Sequence, residues 1–218
     1  MVNHVTTEHD STVSLREQKK QETRRSLARA AAGLLHREGS DGMTVAAVAE
    51  AAGVSPRTFH NYFPRREDAL LFFLEDTISD WREQVESAPE DESAVKIMQR
   101  LIAEQVNDAE DIREVGGLLS LMVVGEHLSY LTGPEERNQV KHVAEDLVEA
   151  LHRRCDGTMS LHATGLMMVS TIAAGSFAVE SQLREADEKC STKLSSTDRR
   201  PSEILDESFR LLRDGFGA

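Results

Sequence analysis

The chain has 218 residues, of which 39% are apolar and only two are cysteines, and this excludes a small secreted scaffold held together by disulfides. The 25 Lys and Arg against 38 Asp and Glu give a formal net charge of −13, which taken alone argues against a nucleic-acid partner. The charge is uneven, however. Residues 14–70 carry ten basic and seven acidic groups, whereas residues 71–218 carry 15 basic and 29 acidic groups. A basic N-terminal segment is therefore joined to an acidic remainder.

The N-terminal residues show no targeting signal. Residues 1–13 lack the basic and apolar regions of a signal peptide, and we expect residues 1–15 to form a flexible arm. The stretch 159–179 contains no charged residue, so we weighed it as a membrane span. Because it holds His162, two glycines and hydroxyl side chains that include Thr164, Ser170, Thr171 and Ser176, we expect instead a buried helix packed through small residues, in a cytoplasmic protein.

Apolar residues recur at helical spacing along almost the whole chain. Leu27, Ala31 and Leu34 predict a first helix between residues 17 and 38, which Gly39 ends. Two short helices follow, one after Thr44 and one from residue 55 to residue 62. Further helices are predicted at about 65–87, 93–108, 112–130, 135–154, 159–183 and 202–214, with a loop at 184–201. No segment alternates with a period of two, so we predict an all-α fold.

Three residues near the N-terminus have the spacing of a helix-turn-helix. Ala49 is small where two helices cross, Gly53 turns the chain, and Phe59 fills the core between the helices. Thr44 and Ser55 are suitable N-cap residues. The spacing alone also fits an ordinary tight helical hairpin in a bundle.

The run MTVAAVAEAAGVSPRTFHNYFPRREDAL, from Met43 to Leu70, resembles the DNA-binding head of TetR-type transcriptional regulators. The close resemblance covers about residues 20–74. It departs from the usual family pattern at Arg57, His60, Tyr62 and Arg66. The resemblance implies a three-helix DNA-binding head at residues 16–64, and a larger helical body at residues 65–218 that binds a small molecule and dimerises.

By this resemblance, the helix from residue 55 to residue 62 enters the major groove of double-stranded DNA. Arg57 and Thr58, followed by Asn61 and His60, would read base edges, while other residues of the head would contact phosphates. Because one head reaches a single half-site, we expect a dimer on a palindromic operator. The predicted DNA-binding residues are Thr44, Ser55, Pro56, Arg57, Thr58, His60, Asn61, Tyr62, Arg65 and Arg66.

The resemblance also places sites in the body. Residues 159–183 and 202–214 would form the homodimer surface. Large apolar residues interleaved with a few polar ones are expected of a cavity for an apolar or amphipathic effector, although most of them would serve equally well in the core. The predicted ligand-binding residues are Phe73, Thr77, Trp81, Leu101, Gln105, Leu119, Met122, Val123, Glu126, His127, Tyr130, Met167 and Thr171, among which Glu126, His127 and Tyr130 form a polar cluster.

Two other classes of function compete with a DNA-binding repressor. A small enzyme is disfavoured because no recognised catalytic motif or phosphate-binding loop is present. Cys155 and Cys190 stand alone, and His142, His152 and Cys155 give only a weak metal pattern. A helical adaptor protein would use the helix-turn-helix as a packing unit. We expect no catalytic residue, no cofactor and no metal.

Overall fold

The computed structural model describes residues 15–107, 116–130, 132–186 and 200–214. These residues form nine helices and no strand, which confirms the all-α prediction. The helices are α1 (Leu15–Gly42), α2 (Val45–Ala51), α3 (Pro56–Tyr62), α4 (Arg66–Ser87), α5 (Ala94–Asn107), α6 (Gly116–Tyr130), α7 (Pro134–Arg153), α8 (Leu161–Ala186) and α9 (Pro201–Asp214).

The head consists of α1, α2 and α3, and its short helices begin at hydroxyl caps. The Oγ1 atom of Thr44 accepts a hydrogen bond from the backbone N–H of Ala47 at 3.1 Å. The Oγ atom of Ser55 accepts one from the backbone N–H of Thr58, also at 3.1 Å. These bonds satisfy donors that a helix start leaves open, so both short helices have defined first turns.

The turn between α2 and α3 uses the one residue type that tolerates its backbone. Gly53 has φ of 68°, in the left-handed region. The Val54 N–H then donates to the carbonyl of Ala49 at 2.8 Å, which closes the end of α2. Ala49 and Phe59 are both 0% exposed. The three residues that predicted the helix-turn-helix therefore have the packing and turn roles expected of them.

Helix α1 belongs to the head and to the body at once. It packs against α2, and also against α4 and α6. Its backbone leaves the helical conformation at Gly39, where φ is 71°, as the sequence predicted for the stop of this helix. The buried side chains of Leu27 and Leu34 join one continuous apolar core that runs from the head into the body. A movement within the body can therefore be transmitted to the head through packed side chains.

The uncharged stretch of α8 packs against other helices. Helix α8 contacts α5, α6, α7 and α9. Where it passes α5 and α6, a side chain at Gly175 would collide with Ile102 of α5 and Leu118 of α6, so this close approach favours glycine. By length and composition, Leu161–Ser181 could cross a membrane, and 39% of that window is buried. The expected buried helix is thus buried on one face, and its other face carries exposed apolar residues.

Some predicted features fall outside the described residues. These are most of the N-terminal arm, residues 108 and 112–115 of two predicted helices, and Cys190. Helix α8 extends to Ala186, three residues beyond the predicted end at residue 183, so the start of the predicted loop is helical. The rest of that loop, residues 187–199, is likewise outside the described part of the chain.

Candidate nucleic-acid interface and ligand cavity

Helix α3 presents one polar face to solvent. Pro56, Arg57, His60 and Asn61 are exposed, whereas Phe59 is buried against the head. The exposed positions follow the helical repeat, so their side chains emerge on the same side of α3. This face is narrow enough to enter the major groove of DNA.

Arg57 lies in the first turn of α3 and is available to a ligand. Within the described part of the chain, its guanidinium makes no hydrogen bond and no ion pair. An arginine fork of this kind binds the O6 and N7 atoms of guanine, or the oxygens of a phosphate, with two parallel hydrogen bonds. Arg57, the residue predicted to contact base edges, is therefore free to bind a ligand.

Four other predicted contact residues are partly engaged within the fold. The hydroxyl groups of Thr44 and Ser55 cap α2 and α3, and Ser55 Oγ lies 2.8 Å from Thr58 Oγ1. Thr58 and Tyr62 are half-buried. These side chains orient the helix N-termini, whose remaining backbone N–H groups favour anions.

Arg66 is engaged within the protein. Its Nη1 donates to the carbonyl oxygens of Ser40 and Met43 at 2.8 and 3.0 Å, and its Nε donates to Glu67 at 2.9 Å. The sequence predicted a phosphate contact for Arg66, but it did not indicate these bonds to the connection between α1 and α2. They satisfy carbonyls that the end of α1 leaves open.

Arg65, at the junction of α3 and α4, links the head to the body. Its Nη2 lies 2.8 Å from Asp68 Oδ1, and its Nη1 lies 3.0 Å from Glu136 Oε1 at the start of α7. Hydrogen bonds to these two carboxylates raise the pKa of Arg65. The guanidinium is half-exposed and is therefore still within reach of a phosphate.

A further arginine, which the sequence analysis did not single out, joins α1 to the start of the body. The guanidinium of Arg24 lies 4.1 Å from the ring centre of Phe72 and 5.4 Å from that of Phe63. Such cation–π contacts are attractive and depend on orientation. No sequence pattern relates positions 24 and 72, so this contact had no local signal.

A cavity of about 150 Å³ lies where α1 and α4 meet, with Gln105 of α5 at its edge. Four predicted ligand-binding residues come together here: Phe73, Thr77, Trp81 and Gln105. A cavity of this volume is large enough to hold a benzene-sized group. The residues that sequence analysis missed are Arg25, Ala28, Arg29, Asp76, Asp80 and Gln84.

An ion pair closes one side of this cavity. Arg25 of α1 donates to Asp76 Oδ1 from Nε at 3.0 Å and from Nη2 at 2.9 Å, and its Nη2 lies 3.8 Å from Asp80. Burial, together with the negative charge of Asp76, raises the pKa of Asp80. The mouth of the cavity is therefore charged, while Phe73 and Trp81 give it an apolar floor.

The other predicted ligand-binding residues do not line this cavity. Leu101 and Leu119 are buried in the core, and the hydroxyl of Thr171 donates to the carbonyl of Met167 in its own helix at 2.7 Å. Met122 and Tyr130 are exposed, and Val123 packs at the edge of the core. The structure assembles only part of the predicted set.

The predicted polar cluster around His127 does not form as one site. His127 is buried, whereas Glu126 is exposed and Tyr130 is 78% exposed. Burial lowers the pKa of His127, while Glu67 opposes that shift and Arg66 adds to it. His127 thus faces the start of α4, and its neutral form is favoured in the folded protein.

The weak metal pattern resolves into separate contacts. His152 Nδ1 and Cys155 Sγ both approach Thr164 Oγ1, at 3.3 and 3.7 Å, while His142 is exposed beside Glu145. In the part of the chain that the structure describes, no three His, Cys, Asp or Glu side chains are grouped to hold a metal ion.

Comparison with known families decides the nature of the head. Residues 27–71 match the model of the bacterial regulatory proteins of the tetR family. The N-terminal head is therefore of the tetR type. The matched region spans the core of α1, both short helices and the first turn of α4, which are the elements that build the exposed face of α3.

Solved structures share the fold of this chain over most of its length. The fatty acid degradation regulator FadR of Bacillus halodurans is 14% identical, with 89% of this chain and 96% of that chain covered and a TM-score of 0.54. A transcriptional regulator of Rhodococcus is 15% identical, with 88% and 96% covered and a TM-score of 0.55. A TetR-family regulator of Marinobacter aquaeolei is 15% identical, with 88% and 97% covered and a TM-score of 0.51. A search of curated proteins gives no significant match.

The lowered pKa values of the half-buried His36 and the buried His127 predict how the stability of the protein depends on pH. Burial lowers the pKa of His36 as well as that of His127, so the unfolded chain binds more protons than the folded chain as pH falls below about 6.5. Stability should therefore fall between pH 7.5 and 5.5. Measured by denaturant unfolding, the free energy of unfolding should fall less between pH 7.5 and 5.5 in His127→Gln than in the parent protein. The exposed His162 provides the control His162→Gln, and an unchanged pH slope in His127→Gln would contradict the prediction.

Proposed function

We propose that this TetR-family regulator is a repressor that binds a palindromic operator as a homodimer and leaves it when a small-molecule effector binds. The observation that carries the proposal is the guanidinium of Arg57, which is exposed on α3 and has no partner among the described residues, in a head that matches the tetR family. Base contacts from this face would supply sequence preference, and contacts to phosphate would supply most of the affinity.

The charge distribution supports an approach of the head alone. The head carries the surplus of basic groups, and the acidic body is repelled by phosphate. Arg57 and the N-terminus of α3 therefore meet the duplex first. Asn61 and His60 lie on the same exposed face and add donors and acceptors for base edges.

An exposed apolar stripe on α8 supports pairing of two chains. Leu166, Val169 and Phe177 are 69%, 48% and 56% exposed, and they recur at helical spacing. Leu212 of α9 is also exposed. By contrast, Ile172 and Leu205, which lie in the two ranges predicted to form this surface, are buried within the monomer. The proposed interface is thus one face of residues 159–183 and 202–214, in which α8 and α9 pack against their copies.

The cavity between α1 and α4 supports an effector of amphipathic character. Its floor, formed by Phe73 and Trp81, suits an apolar group, and its charged mouth suits a polar one. An occupant would touch α1 of the head and α4 of the body at once. It would thereby change the angle of α4 and the separation of the two copies of α3, provided that it binds the two arrangements unequally.

A helical adaptor without DNA binding is the second candidate, since the same fold packs well as a protein-binding unit. Salt dependence separates the two functions. For a protein that binds duplex DNA, the logarithm of the binding constant falls with the logarithm of the salt concentration, with a slope of about −0.9 per phosphate contact. We place the repressor in the cytoplasm.

Substitution of Arg57 should relax sequence preference. Selection from a random duplex library should enrich an inverted repeat for the parent protein. Arg57→Ala should lower the preference for that repeat over random DNA by about 1–3 kcal/mol, because the bidentate contact to guanine is lost. Fluorescence anisotropy measures both affinities. The control Arg213→Ala removes the same charge from α9, and an unchanged preference in Arg57→Ala would contradict the assignment of this residue.

A charge in the α8 stripe should separate the dimer. Leu166→Glu and Phe177→Glu each place a carboxylate in an apolar interface, where it is not solvated. Sedimentation equilibrium should show the parent protein as a dimer and both variants as monomers. Leu15→Glu makes the same kind of change at a leucine that is 77% exposed elsewhere, and it should remain dimeric. If the two α8 variants were still dimers, the stripe would not be the interface.

Trp81 offers a direct test of the effector cavity, because it is the single tryptophan of the chain. An amphipathic compound that releases DNA should change the Trp81 fluorescence over the same concentration range. Thr77→Met should fill the cavity and abolish both responses without weakening DNA binding. Thr23→Met is a matched control, because the hydroxyl of Thr23 bonds to its own helix in the same way as that of Thr77. Release of DNA from Thr77→Met by the same compound would place the effector elsewhere.

A further inference from the structure

Arg65 lies at the junction of head and body, and its side chain is held by a distant residue of the body. It follows α3 directly, and its Nη1 donates to Glu136 Oε1 across 71 positions of sequence. Its Nη2 donates to Asp68 in the first turn of α4. The side chain is nevertheless 57% exposed, so a phosphate arriving beside α3 can reach the same guanidinium.

Glu136 is held firmly in place. It lies in the first turn of α7, is 9% exposed, and accepts the hydrogen bond from Arg65 Nη1. Backbone N–H groups at the start of α7, together with Arg65, lower the pKa of Glu136. The carboxylate is therefore ionised at neutral pH, and it moves only when the start of α7 moves.

The local charge around Arg65 is unfavourable for DNA. Two carboxylates, those of Asp68 and Glu136, hold one guanidinium. Their sum is one negative charge next to the helix that would approach the duplex. A phosphate that binds Arg65 must therefore compete with Glu136 and overcome its repulsion.

We propose that Glu136 competes with the DNA backbone for Arg65, so that the position of α7 sets the affinity of the head for DNA. This inference rests on the proposed function, since it assumes that the head binds a duplex. With Glu136 against Arg65, the head binds DNA weakly. When the start of α7 withdraws, Arg65 is released to a phosphate and binding tightens.

The packing of the body gives this exchange a route to the ligand cavity. Helix α7 packs along α4, and α4 supplies six of the residues that line the cavity. A shift of α4 therefore changes the fit of α7 against the head. An effector that presses Glu136 towards Arg65 would promote release of DNA, and DNA would in turn oppose binding of that effector.

The test uses a random-sequence duplex, because a contact to phosphate does not depend on sequence. The dissociation constant of full-length protein is measured by fluorescence anisotropy over a range of salt concentrations. Glu136→Gln should bind about three- to tenfold more tightly at low salt, with a salt slope steeper by about 0.9 for each newly made phosphate contact. Glu136→Asp, which keeps a charge at the start of α7 but is too short to hold Arg65 closely, should show a smaller change in the same direction.

Glu135→Gln is the matched control. Glu135 lies in the same first turn of α7 and is exposed, so its substitution removes the same charge without touching Arg65. Its effect on the dissociation constant should be less than about twofold, as expected of an exposed charge away from the contact. Equal tightening in Glu135→Gln and Glu136→Gln would mean that general repulsion, not competition for Arg65, governs binding, and it would overturn the proposal.

A double-mutant cycle completes the experiment. In an Arg65→Ala background, Glu136→Gln should no longer change the affinity for DNA, because the guanidinium for which Glu136 and phosphate compete is absent. Tightening that persists in this background would overturn the proposal, as would unchanged or weaker binding in both Glu136→Gln and Glu136→Asp. Thermal unfolding of each variant verifies the fold. If the parent protein bound no duplex at any salt concentration, the DNA-binding function itself would be rejected, which separates that failure from failure of this inference.

Discussion

The orientation of α3 relative to the body depends on arginine contacts at the junction of head and body. Arg24 rests on Phe72, Arg25 pairs with Asp76, and Arg65 pairs with Glu136. Hydrogen bonds and ion pairs of guanidinium groups are directional, and those that face water are individually weak. The shared apolar core holds the two parts together, while these contacts select one angle between them. An angle selected in this way can be changed by a ligand without unfolding the core.

Local rules were enough to predict the helices and the turn of the head. Thr44 and Ser55 cap helices because a hydroxyl accepts from the backbone three residues onward, and Gly53 turns the chain because other residues resist a positive φ. Such rules depend only on neighbours in sequence. The DNA-facing residues of α3 were predicted from the family resemblance, and the burial of Phe59 explains why Arg57, His60 and Asn61 point outward.

The cavity and the contacts at the junction could not be predicted in this way. Arg25 and Asp76 are separated by 51 positions in the sequence, and Arg65 and Glu136 by 71. Helical periodicity does not indicate which residues pair over such separations. His127 illustrates a related difficulty. Its neighbours in sequence, Glu126 and Tyr130, predicted a polar cluster, but the rotation of α6 buries His127 and exposes both of the others. An apolar stretch such as α8 likewise gives no sign of which face its own chain will cover.

The proposed dimer would tie the stability of the protein to its abundance through the uncovered face of α8. In that dimer, the surface bearing Leu166 and Phe177 would be shielded from water only while two chains are associated. By mass action, the unfolding temperature of such a dimer rises with protein concentration. Newly synthesised chains would expose the apolar face of α8 until they dimerise. The cellular level of the chain would then govern its survival as well as its occupancy of DNA.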